Sequence, residues 1–116
     1  MTLREFYDFV KGDYEDVMER MASEALVKRF LLMFTETEEY TDMLKAVEAK
    51  DWERGFRLSH NLKGIGLNLG LRDFYNSAST LCDTMRHGAP TEDISNLVEA
   101  VRSNYEFAVA AIKRLD

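Results

Sequence analysis

The sequence predicts an all-α protein: an antiparallel up-down four-helix bundle with short extra helices at its N-terminus. Three observations carry this expectation. Apolar residues recur at steps of three and four along most of the chain. Alternation of period two in β-branched residues, the mark of a half-buried strand, is absent. One Pro and six Gly leave room for long uninterrupted helices.

Taken in order, Leu3, Phe6, Tyr7 and Val10 mark a first short helix, and Tyr14, Val17, Met18 and Met21 a second. Gly12-Asp13 breaks the chain between them. Ser23 suits an N-cap, and from there the stripe Leu26, Phe30, Met33, Thr37, Tyr40, Leu44 and Val47 keeps phase through the polar stretch Thr35–Glu39. The expectation is one long helix from Ser23 to Ala49, although Thr35 with Glu38 also spells a capping box that would start a new helix. Lys50-Asp51 forms a tight connection, with Asp51 as N-cap of a helix carrying Gly55, Leu58, Leu62, Ile65 and Leu69 on one stripe. That helix ends near Gly70, which tolerates the left-handed conformation. Phe74, Ala78, Leu81 and Met85 define the next helix, closed by His87-Gly88. Ala89-Pro90 turns the chain, Thr91 caps, and Ile94, Val98, Val101, Tyr105, Ala108, Ile112 and Leu115 form the last stripe. Long helices on short connections lie as antiparallel neighbours.

The length, 116 residues, bounds the protein to a single domain over 1–116 with one core. A formal charge of −6, from 15 Lys+Arg against 21 Asp+Glu, argues against general nucleic-acid binding, which needs a positive field. Cys82 is the sole cysteine, which excludes an internal disulfide and points to a reducing compartment. No apolar run approaches bilayer-spanning length, and Met-Thr-Leu-Arg-Glu-Phe lacks the basic-then-apolar order of a signal peptide. The expectation is a cytoplasmic monomer with no membrane contact, whose ends read as those of a free-standing domain.

One residue departs from the helical logic. His60 lies about 200° around the helix from both Leu58 and Leu62, so it points away from the core stripe. Phe56, Arg57, Lys63, Gly64 and Leu67 share its face, at i−4, i−3, i+3, i+4 and i+7. An outer face with Phe, His, Gly and Leu together is not an ordinary solvated one. Gly64 and Gly66 each weaken the helix interior, which is the kind of local violation expected at a functional surface. Exposed imidazoles titrate near neutrality, so a large fraction is neutral and nucleophilic at cellular pH. A phosphoryl group on the ring would add negative charge within reach of the Lys63 ammonium. Gly64 would let a partner's backbone approach closely, and Phe56 and Leu67 would supply apolar contact around the reactive centre.

His60-Asn61-Leu62-Lys63-Gly64, followed by Asn68-Leu69-Gly70, resembles the H-x-L-K-G…L-G signature of histidine-containing phosphotransfer (HPt) domains. Lys50-Asp51-Trp52 through Ser59 resembles the family's "G-D-W … A-H" lead-in, and Leu81-Cys82 with Gly88 its "L-C … G" helix. The resemblance runs from Tyr14 to about Gly88, and the C-terminal helix fits in kind. It implies a four-helix bundle that shuttles phosphoryl groups between aspartates of response-regulator receiver domains, without kinase activity of its own. His60 would be phosphorylated, Lys63 would stabilise the phosphoryl group, and Gly64 would leave room for the partner. One departure is Gly66, at a position where the family often has Ser.

No cofactor of its own is expected and no metal site; Mg²⁺ and the reacting carboxylate would come with the receiver domain, or with a hybrid sensor kinase as the other partner. Neither His lies at ligand spacing from another His or Cys. His87, just before Gly88, reads as a contributor to a helix C-terminal cap, Cys82 as a buried apolar residue, and Trp52 as a packing anchor. Glu36–Glu39 reads as a solvated face, and Arg54 and Arg57 as charges that steer an acidic receiver pocket. Two rival classes stand beside the carrier reading. A non-covalent adaptor would dock a receiver without being phosphorylated, and a hydrolase of phosphohistidine or aspartyl phosphate would need a positioned base or metal that the sequence does not offer.

Overall fold

In the computed structural model, which describes residues 1–116, side-chain caps set where most helices begin. Thr2 and Glu5 form a reciprocal capping box that opens α1 (Leu3–Phe9). Asp13 accepts from the amide of Asp16 and starts α2 (Tyr14–Met21), and Ser23 accepts from Leu26 and starts α3 (Glu24–Thr35). Thr37 opens α4 (Glu38–Glu48), and Asp51 opens α5 (Trp52–Asn68) through the amide of Arg54. Two helices begin without a side-chain cap on their first residue: α6 (Arg72–Thr84) and α7 (Ser95–Ile112). The fold is all-helical, with seven helices and no strand.

The expected single helix from Ser23 to Ala49 is two. α3 stops at Thr35 and α4 restarts after Glu36 and Thr37, with Thr37 rather than Thr35 as the cap. A tertiary contact and a local cap meet at the break. The Tyr105 hydroxyl of α7 lies 3.0 and 3.2 Å from the Phe34 and Thr35 carbonyls at the break, and Thr37 caps the new helix through the Glu39 amide. The break also changes which side chains face inward. α3 buries Val27, Leu31 and Phe34, while the expected stripe residues Leu26, Phe30 and Met33 are exposed. α4 buries Tyr40, Met43 and Ala46.

One core of aromatic and aliphatic side chains joins all seven helices. Phe34 meets Phe74 edge to face with ring centres 5.0 Å apart, and Tyr40 stacks on Tyr105 at 3.7 Å. α5 packs on α4 and α6, α6 on α7, and α7 closes onto α3. Small residues bring α5 and α6 together. A Cβ at Gly66 would lie 3.0 Å from the Phe74 ring and 3.3 Å from the Tyr75 backbone. Gly66 is thus a packing residue, and its glycine is explained by close helix approach rather than by a functional surface. Gly70 does adopt the left-handed conformation, at φ +66°.

Smaller expectations fare unevenly. Cys82 is buried, and Trp52 packs half-buried against the core. Thr91 does not cap α7; Asp93 accepts from both the amide and the hydroxyl of Ser95 instead. His87 sits exposed in the turn beyond α6, past the last helical residue, Thr84, and is not part of its cap. Of the acidic stretch, Glu36 and Glu38 are exposed as expected, while Glu39 is half-buried with its Oε2 enclosed. No helix is long and apolar enough to cross a membrane.

Candidate functional site

The site is built on the outward face of α5. The inward face is fixed by Gly55, Ser59, Leu62 and Gly66, all buried, which sets the rotation of the helix. With that rotation His60 is exposed, and Asn61 beside it as well. The backbone beneath is held from inside. The Phe56 carbonyl accepts from the Ser59 hydroxyl at 3.1 Å, and the Cys82 thiol of α6 approaches the same oxygen at 3.7 Å.

Phe56 lies one turn before His60, half-buried, its ring stacked beside the imidazole with centres 6.0 Å apart and planes 26° from parallel. Lys63 follows at i+3, its side chain half-buried along the α5 surface. Leu67 is 54% exposed, which leaves a large apolar side chain one further turn along. At Gly64, an added Cβ would meet nothing within 4 Å. This glycine therefore relieves no internal crowding, in contrast with Gly66, and its effect is to keep the surface beside His60 low. Arg57 is exposed on the same face. Its neighbour Arg54 pairs with Asp42 of α4 at 3.6 Å.

The structure adds a residue that sequence reasoning missed. Arg86, beyond the end of α6, places its guanidinium over the Phe56 ring at 5.3 Å, so Phe56 neighbours both Arg86 and His60. Asp83 holds Arg86 at 2.7 Å, and the Arg86 guanidinium, with Lys63 next, keeps the Asp83 carboxyl below its ordinary range. Nothing in the spacing of α5 pointed to Arg86, because it arrives across a helix–helix interface. A residue just past α6 that meets the first half of α5 could have been found only once the pairing of the two helices was known.

Chemically, the arrangement offers one accessible imidazole, Lys63 one helical turn away, Arg86 on the neighbouring Phe56 ring, and an apolar rim. No group of three or more His, Cys, Asp or Glu side chains lies together in a way that could hold a metal ion. Compared with protein-family models, curated proteins and solved structures, the chain matches none.

The open space at Gly64 has a measurable consequence. Glycine in a helix interior costs about 0.5–1 kcal/mol relative to alanine. With no atom to displace, Gly64→Ala recovers that amount, and the thermal midpoint rises. A lower midpoint would mean that the space is not open.

Proposed function

We propose that this chain is a histidine phosphotransfer protein, a carrier that accepts and donates a phosphoryl group on His60. The observation that carries the reading is the exposed imidazole flanked by Phe56 and Lys63, with empty space above Gly64. The finer architecture belongs to the same reading. α3 with α4, then α5, α6 and α7, form an antiparallel up-down four-helix arrangement, and α1 and α2 are the additional N-terminal helices. The short turns between α4, α5 and α6 support it.

In the forward step a lone pair on the His60 ring attacks the phosphorus of an aspartyl phosphate on a receiver domain. A P–N bond forms as the P–O bond to the aspartate breaks, and the carboxylate leaves with its electron pair. The reverse step returns the group to another aspartate. Such transfers depend on in-line positioning and charge stabilisation more than on covalent chemistry by the protein. Phe56 limits how the imidazole can turn, Lys63 neutralises the added charge, and Gly64 with Leu67 provides the surface that a receiver meets. Arg57 stands at the edge of that surface as a charge for the partner's acidic pocket. The receiver, or a hybrid sensor kinase carrying one, brings Mg²⁺. The carrier acts as a cytoplasmic monomer.

The reading is tested without knowing the partner. Phosphoramidate, a small N–P donor, transfers its phosphoryl group to imidazole with loss of ammonia. Incubation should add one phosphoryl group to the protein, mapped by mass spectrometry to the peptide containing His60 and lost in acid but not in base. Unmodified protein would leave the non-covalent adaptor reading, and rapid release of inorganic phosphate without labelling would favour the hydrolase.

Lys63→Ala is expected to slow labelling, or to shorten the lifetime of the labelled form, without abolishing either. The labelling time course and the decay after donor removal measure this directly. Rates equal to those of the unaltered protein would remove Lys63 from the site.

A further inference from the structure

Arg86 is brought onto α5 by the packing of the residue before it. Met85, the C-cap of α6, is buried against Gly55 of α5, where an added Cβ would stand 2.9 Å from the Met85 sulfur. The missing side chain at Gly55 thus admits Met85. The residues that follow, Phe56 on α5 and Arg86 after α6, then face each other, and the guanidinium stands over the ring at 5.3 Å. The helix interface builds this contact.

Asp83 completes it. Its carboxylate accepts from Arg86 at 2.7 Å, so the guanidinium has two ties, a carboxylate from its own helix and a ring from α5. An exposed ion pair adds little to stability. Its effect here is on geometry: it holds a long side chain in one place, with a planar group that suits the face of a ring. Phe56 in turn lies beside the imidazole, with centres 6.0 Å apart and planes 26° from parallel. The partners of Arg86 are Asp83 and Phe56, and His60 is reached only through the ring.

Building on the carrier reading, we propose that Arg86 is a positioning residue for phosphoryl transfer: held by Asp83, it keeps the Phe56 ring in place, and that ring keeps the His60 imidazole in the orientation from which it attacks. An exposed imidazole is free to change rotamer, and turning out of line with the phosphorus slows attack. A ring beside it removes part of that freedom, provided the ring is itself held. Loss of a cation–ring contact at an exposed site corresponds to about a two- to fivefold change in rate. Because Arg86 acts before transfer and through another side chain, the lifetime of the transferred phosphoryl group does not depend on it.

The test follows phosphoramidate labelling of the full chain beside the NMR signals of the His60 ring protons, told apart from those of His87 by their loss in His60→Gln. Arg86→Gln is expected to move the His60 signals, to slow labelling about two- to fivefold and to leave the decay of the label unchanged. Arg86→Lys, which returns a cation to the ring, should recover most of the rate. In a Phe56→Leu background, which keeps apolar packing without the ring, Arg86→Gln should change neither the signals nor the rate. An effect that survives without the Phe56 ring, or a shortened lifetime of the label, would mean direct action on the phosphoryl group and overturn the proposal. So would unmoved His60 signals or an unchanged rate while the unaltered protein takes up label. Absence of label on the unaltered protein would remove the carrier reading itself, and the transfer role of Arg86 with it.

Discussion

His60→Gln abolishes phosphoramidate labelling and leaves the helical circular dichroism of the protein unchanged. The loss is complete because glutamine has no ring nitrogen with a free lone pair, and every step of the transfer needs one. The fold persists because His60 is exposed and outside the core, and glutamine is at least as good a helix former. His87 serves as an internal control. It is also exposed, but it lies in the turn after α6, and no neighbour is stacked on it. Labelling that persisted in the variant and mapped to His87 would show that mere exposure suffices, and the special standing of the α5 face would be gone.

Phe34→Ala is expected to be the most damaging single change to the fold. Phe34 is 2% exposed and touches Phe74 and Tyr105, each with ring centres 5.0 Å away. Its carbonyl also accepts from the Tyr105 hydroxyl at the break between α3 and α4. Truncating a buried phenylalanine costs about 3–5 kcal/mol through lost transfer energy and the cavity left behind. A domain of this size has about 5–15 kcal/mol in total. At roughly 4–8 °C per kcal/mol, the thermal midpoint falls by more than about 12 °C. A denaturant titration checks the figure, and a loss of under about 1 kcal/mol would mean that the three rings do not pack as described.

The helices with a single apolar face were legible in the sequence. Phe74, Ala78, Leu81 and Met85 lie buried on α6, and Val101, Tyr105, Ala108 and Ile112 on α7, as their spacing indicates. So were the caps at Ser23 and Asp51. The division between α3 and α4 was not. From Phe30 to Phe34 every residue is apolar, so a stripe through Phe30 and Met33 and one through Leu31 and Phe34 fit equally well. Continuity with Tyr40 favoured the wrong one. The Tyr105 hydroxyl, some seventy residues away, meets the carbonyls at the break, a contact that no local window contains.

The candidate site divides along the same line. His60, Phe56, Gly64 and Leu67 share a face because they share a helix, and that face follows from counting residues. The two glycines of α5 looked alike in sequence, yet Gly66 is pressed against α6 while Gly64 opens to solvent. Arg54 and Arg57 looked alike too, until Asp42 of α4 claimed one of them. Arg86 and the unmet carboxylate oxygen of Glu39 depend on neighbours from other helices, and only the folded chain brings those together.

The far end of α5 is finished by donors from distant segments. The Tyr7 hydroxyl donates to the Leu69 carbonyl at 2.6 Å, and Arg20 to those of Leu67 and Asn68 at 3.0 and 2.8 Å. These oxygens belong to the negative pole of the helix that carries the imidazole, where only Leu67 also has a backbone donor, the Gly70 amide at 3.2 Å. Unwinding that tail would part these acceptors from their side-chain donors, so the end of α5 is tied to α1 and α2. Fraying of the histidine-bearing rod is therefore coupled to loosening of the leading pair of helices.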